Sequence, residues 1–225
     1  MKSCPICKSD KIKTFVEVEK LPLIFFPVPK DIRNKIHKRK LKSYLCKTCS
    51  HIFKDPINSK EASIIYGRYY LYYPFENLES MNSVYRQPFK TIFEHKLATC
   101  RFRRQRNQSL LEIGCSSGKQ LEFYKKYGIK AYGIDPSPLT KKSNKNLISG
   151  FYEDYNFNGR FNIIVSRFHL EHTNDIEKFF MKVRKDLDDD GLLFIQVHVV
   201  LDTELQQNTC KKAQEKNKIS KKLIH

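Results

Sequence analysis

From Ser109 onward the chain alternates short apolar strands with helical stretches, and this alternation restricts what it can fold into more than any other feature. Ser109 to Ile113, Ile129 to Ile134, Leu147 to Ser149, Phe161 to Ser166 and Gly191 to Val199 read as strands. Lys119 to Tyr127, Pro138 to Asn146 and Asp175 to Leu187 read as the helices between them. Five strands joined by helical crossovers form a parallel sheet covered on both faces, an α/β doubly wound architecture. The expected division of the chain is a small β-rich module over 1–60, an aromatic and helical connector over 61–108, the α/β core over 109–200 and a Lys-rich polar tail over 201–225.

The first strand runs into Glu112-Ile113-Gly114-Cys115-Ser116-Ser117-Gly118 and then into a helix. Gly114 permits a tight turn, and small residues through Gly118 let a ligand approach main-chain N–H groups. The second strand ends at Asp135, where a carboxylate can accept hydrogen bonds from ribose hydroxyls. An NAD-binding loop prefers glycine where Ser116 stands and does not need Glu112. A phosphate-binding loop of the Gly-Lys-Ser/Thr kind is absent.

The first 60 residues carry two C-x2-C pairs, Cys4/Cys7 and Cys46/Cys49, separated by 38 residues. Two such knuckles supply a closed four-sulfur site suited to structural Zn2+. The segment is too small for a large core and needs such a staple. His51 could replace one thiolate, although packing beside the knuckle is the expected role. Cys100, Cys115 and Cys210 lack partner spacing. Between module and core, Val84, Phe89, Ile92, Phe93 and Leu97 suit one face of a helix that packs on the rest of the protein.

On these residues the sequence resembles the class I S-adenosylmethionine-dependent methyltransferases, with Glu112 to Gly118 matching an E/D-x-G-x-G-x-G loop in which Ser116 replaces the middle glycine. The resemblance implies a Rossmann-like sheet with S-adenosylmethionine as cofactor. Glu112, Gly114, Cys115, Ser116 and Gly118 would form the loop against its methionine part, and Asp135 would hold the ribose. Phe151 and Tyr152 stand where the family places adenine contacts. Phe168-His169-Leu170-Glu171-His172 resembles the H-x-L-E-H segment of small-molecule methyltransferases, and Leu187-Asp188-Asp189-Asp190-Gly191 the turn into the fifth strand. The order of cysteines, aromatic stretch and core further resembles methyltransferases with an N-terminal zinc-binding domain, including nucleotide-sugar C-methyltransferases. That resemblance implies His172, then His169, as the base, with Tyr70 and Tyr72 reaching the active site. It also makes the chain look C-terminally shortened.

The formal charge of +18 suggests a polyanionic partner until it is located. Residues 1–60 hold 15 basic and 5 acidic residues, whereas 109–200 hold 13 and 12. The core is thus nearly neutral, which argues against an RNA acceptor, and the resemblance implies a sugar nucleotide or related small molecule, as in the synthesis of a cell-surface glycan. A zinc-ribbon RNA methyltransferase and a non-catalytic zinc-binding interaction protein are the alternatives. With neither a spanning apolar run nor a secretory signal in this sequence, a cytoplasmic protein with reduced thiols is expected.

Overall fold

The structure, a computed structural model, describes residues 2–24, 30–67, 90–97, 108–137 and 145–197. Strands β1 (Ile12–Pro22) and β2 (Lys38–Cys46) pair antiparallel from Ile12 opposite Cys46 to Pro22 opposite Lys38, and β3 (Ile52–Lys54) adds to β2 with Phe53 opposite Tyr44. Those two rings meet at 5.5 Å. Helix α1 (Lys30–Arg33) lies between β1 and β2, and α2 (Ser59–Gly67) follows β3. The buried apolar material is scant: Leu23 and Ile24, with Ile36, Ile64 and Ile65 against them.

Helix α2 starts with a reciprocal cap. The Glu61 N–H donates to Asn58 Oδ1 (2.9 Å), and the Asn58 N–H donates to Glu61 Oε2 (3.2 Å). Glu61 also receives Arg39 of β2 at 2.8 Å, so the helix start is tied to the sheet of the module.

The second sheet contains β4 (Ser109–Ile113), β5 (Lys130–Asp135), β6 (Leu147–Ser149), β7 (Phe161–Arg167) and β8 (Leu187–Gln196). All neighbours are parallel, in the order β6-β5-β4-β7-β8. Alternation along β4 and β7 divides the core. Leu110, Ile163 and Val165 face Leu121 and Tyr124 of α4 (Leu121–Lys125) and Phe93 of α3 (90–97). Leu111, Ile113 and Ile164 face Phe179 and Val183 of α5 (Ile176–Asp186). The Asp175 side chain caps α5 by accepting the Lys178 N–H at 2.9 Å. This is a Rossmann-like doubly wound sheet beside a small antiparallel module.

Two expectations need correction. Ile92, placed on the buried face of the connector helix, is 54% exposed, whereas its neighbour Phe93 is fully buried among Phe123, Tyr124 and Phe194. Strand β8 begins at Leu187 rather than Gly191: Phe161 pairs Leu187 and Ile163 pairs Leu192, leaving a bulge between the two pairs. Side chains hold that bulge in place, because Asn162 donates to Asp188 at 2.6 Å and Arg160 pairs Asp189 at 2.8 Å. Val84, Phe89 and most of the 138–146 helix lie outside the described residues. No described helix is long and apolar enough to cross a membrane.

Phe93 joins the connector to the core, so Phe93→Ala should cost about 3–5 kcal/mol of unfolding free energy in urea denaturation. A loss below about 1 kcal/mol, the scale of a surface change, would show that the helix is not docked.

Candidate active site and cysteine cluster

The turn after β4 uses left-handed backbone three times: Gly114 at φ 76°, Ser116 at φ 51° and Gly118 at φ 75°. A Cβ on Gly118 would lie 2.6 Å from Leu147 Cδ2, and one on Gly133 would lie 2.5 Å from Cys115 Sγ. The loop therefore sits low on the ends of β5 and β6, with Cys115 beneath it. Burial pushes the Cys115 thiol well up. Ser116 adopts a conformation that glycine adopts without strain, at a cost of order 1–2 kcal/mol. Its hydroxyl oxygen is buried and has no hydrogen-bond partner among the described residues.

Asp135 holds this turn from β5. Its Oδ2 accepts the Ser116 N–H at 2.9 Å, and its Oδ1 accepts the Ser137 N–H at 2.8 Å. Burial raises its pKa, against the lowering effect of those two donors. Below the loop, buried Glu112 lies 3.9 Å from Arg167, which in turn donates to Gln196 at 3.0 Å. These bonds join the ends of β4, β7 and β8.

At the end of β7, Phe168 takes φ 51° and donates its N–H to the Gln196 carbonyl at 2.7 Å. The bend brings the His169 ring under the loop, with Nδ1 3.3 Å from where a Gly114 Cβ would be. Burial, aided by His172, lowers the His169 pKa to about 4. His172 ends a short 3-10 turn (Leu170–His172) and is exposed. Two aromatic expectations occupy different environments. Phe151 is half-buried at the rim, whereas Tyr152 is 1% exposed and donates its hydroxyl to Asp186 at 3.0 Å. Tyr70 and Tyr72 lie outside the described residues.

Tyr66 of α2 is one of five tyrosines between 66 and 73, and its ring stands edge-on to Phe151 (6.2 Å) and to His172 (6.3 Å). Burial and the charges of Asp135, Glu153 and Glu171 push its phenol up to about 12. Only the docking of α2 against the core reveals this placement.

The four cysteines converge as the spacing suggests. The Sγ atoms of Cys4, Cys7, Cys46 and Cys49 all lie within 4.8 Å of one another, with Cys4–Cys49 at 3.7 Å and Cys7–Cys46 at 3.5 Å. A tetrahedron with metal–sulfur bonds of about 2.3 Å has sulfur–sulfur edges of about 3.8 Å. The two knuckles repeat one backbone design: Lys8 and Ser50, each following the second cysteine, both take φ 59° and donate their N–H to the carbonyls of Cys4 and Cys46. Backbone N–H donors from Cys49 and Thr48 help lower the Cys46 thiol to about 6, favouring a thiolate. His51 stacks on Phe53 at 5.9 Å and is not among the clustered ligands.

The protein family described as "Methyltransferase domain" matches residues 85–220, more than half of the chain. The chain belongs to that family. Among solved structures, it is similar to a SAM-dependent methyltransferase from Geobacter sulfurreducens in complex with S-adenosyl-L-homocysteine, at 19% identity over 42% of this chain and 43% of that one, with TM-score 0.36. It is also similar to DesVI of Streptomyces venezuelae, at 21% identity over 49% and 51%, TM-score 0.40. A SAM-dependent methyltransferase from Thiobacillus denitrificans in complex with S-adenosyl-L-homocysteine matches at 18% identity over 48% and 50%, TM-score 0.39. The matches span about half the length of these structures. No curated protein matches the chain.

His169 gives the site a stability signature. Its folded pKa of about 4 lies below the ordinary 6.5, so between these values the unfolded chain binds a proton that the folded chain refuses. Its contribution is complete above pH 6.5 and should fall by about 3 kcal/mol as pH drops through 4. Unfolding curves of wild type and His169→Gln should therefore converge on acidification. Parallel curves would contradict an imidazole held neutral in the fold.

Proposed function

We propose that the protein is an S-adenosylmethionine-dependent methyltransferase acting on a sugar nucleotide or related small molecule, with a structural zinc ion on Cys4, Cys7, Cys46 and Cys49. The observation that carries the methyltransferase reading is the low left-handed loop from Gly114 to Gly118, bound through Ser116 to the carboxylate of Asp135. The residues suit such a cofactor: Asp135 places a carboxylate at the end of β5 beside the loop, and the buried Ser116 hydroxyl oxygen has no hydrogen-bond partner among the described residues.

When bound, S-adenosylmethionine supplies an electrophilic methyl group on a sulfonium. The chain then contributes alignment and proton removal. In this reading Glu112, through Arg167, supports the loop formed by Gly114, Cys115, Ser116 and Gly118, while Asp135 orients the ribose. Phe151 flanks the adenine. Tyr152, bound to Asp186, supports Phe151 from the core. His172, exposed at the rim, takes the proton from the acceptor O–H or C–H on an imidazole nitrogen. The half-buried His169 remains neutral near pH 7 and supports the loop. Tyr70 and Tyr72 are assigned to the acceptor side.

Charge placement supports a small acceptor. With 13 basic and 12 acidic residues over 109–200 the core is nearly neutral, as suits a small acceptor better than RNA, while the more basic residues 1–60 can attract a diphosphate. Transfer of labelled methyl from S-adenosylmethionine to a panel of nucleoside-diphosphate sugars and to bulk RNA tests this. Label is expected in the sugar nucleotides, and His172→Ala should reduce transfer by about 10²–10⁴-fold. Label in RNA alone overturns the acceptor class; undiminished transfer by His172→Ala removes that residue from the chemistry.

Metal analysis should return one zinc per chain, and Cys4→Ser or Cys46→Ser should lose both the metal and thermal stability. A fully folded protein with well under one zinc per chain would contradict the metal site.

A further inference from the structure

Resting on the proposed cofactor site, we infer that Tyr66 is a cofactor-binding residue, carried by the cysteine module across the mouth of the core. The order β6-β5-β4-β7-β8 places the segments following β6 and β7 on either side of the ends of β5 and β4. Those two inner ends carry Asp135 and the glycine loop. Phe151 follows β6 and His172 follows β7, and Tyr66 touches both, at interplanar angles of 79° and 88°. A ring in edge contact with both flanks spans the opening between them. The electrostatic influence of Asp135, Glu153 and Glu171 on the Tyr66 phenol agrees with that location.

The position of Tyr66 is set from two directions. Within the module, the Asn58–Glu61 cap, the Arg39–Glu61 ion pair and the packing of Ile64 and Ile65 on Leu23 and Ile24 fix helix α2 immediately before Tyr66. From the core, Asn174 clamps the main chain ahead of that helix: Ile57 N–H donates to Asn174 Oδ1 at 3.1 Å, and Asn174 Nδ2 donates to the Ile57 carbonyl at 2.7 Å. Asn174 lies two residues past His172 and directly before Asp175, the cap of α5. Lys8, following the first cysteine knuckle, reaches Glu177 of α5 at 2.7 Å. The docking has its own polar bonds and does not require an aromatic ring at the rim. The chemistry that such a ring offers is a flat apolar face and a neutral hydroxyl, suited to an adenosyl group held between Asp135 and Phe151.

The test is calorimetric titration of S-adenosylhomocysteine into the full, zinc-replete chain. Tyr66→Ala should bind about tenfold more weakly than wild type or worse, and Tyr66→Phe should stay within about threefold, since the ring supplies most of the contact. Asn174→Ala leaves Tyr66 intact but releases the clamp, and it should also weaken binding. A residue that only supports the fold would lower the melting temperature of the ligand-free protein and leave affinity unchanged. Wild-type affinity in a folded Tyr66→Ala, or in Asn174→Ala if the former does not fold, overturns the inference while leaving the cofactor reading intact. Absence of binding by the wild type would instead defeat the cofactor reading, and this inference with it.

Discussion

The carboxylate of Asp135 links the two inner strands of the core at the place where both must end. It accepts one N–H from the turn after β4 and another from the turn after β5, so the glycine loop and the end of β5 share one anchor. Without that anchor, Ser116 would have little reason to remain in a left-handed conformation that costs it strain. The bond thus supports the shape of the whole opening: the low loop, Cys115 beneath it, and the neighbouring His169 ring. Burial raises the free energy of the charged carboxylate, and the two donors offset part of that cost.

The two parts of the chain meet at the same opening. The module has little apolar core of its own, and its knuckles bring four sulfurs to tetrahedral spacing. Arg39 of β2 ties Glu61 at the start of α2, and Asn174 ties the chain ahead of that helix to the segment that carries His172. A chain of contacts therefore links the cysteine module to the rim. In this account the cysteine cluster contributes to the geometry of methyl transfer without taking part in it.

Much of this was legible in the sequence because it depends on local patterns. Apolar runs alternating with helices located all five strands of the core, since a strand buried on both faces leaves a continuous apolar signal. The C-x2-C pairs indicated their own convergence, because few arrangements other than a shared site bring two knuckles to use. Features depending on tertiary docking were not legible. Tyr66 is one tyrosine in a stretch of several, and nothing nearby in sequence marks it as the one against Phe151 and His172. The early start of β8 depends on Asn162 and Arg160 reaching Asp188 and Asp189 across strands. The separation of half-buried His169 from exposed His172 comes from the left-handed turn at Phe168, a residue whose type gives no hint of it.

The central claim is that Asp135 and the glycine loop form a site for S-adenosylmethionine. It is tested most directly by titrating S-adenosylhomocysteine into the folded, zinc-loaded protein and into Asp135→Ala. The account predicts saturable one-to-one binding by the wild type and a loss of at least about tenfold in affinity in the variant, the scale of one or two charge-assisted hydrogen bonds. No binding by the wild type, or equal binding by both proteins, would contradict it.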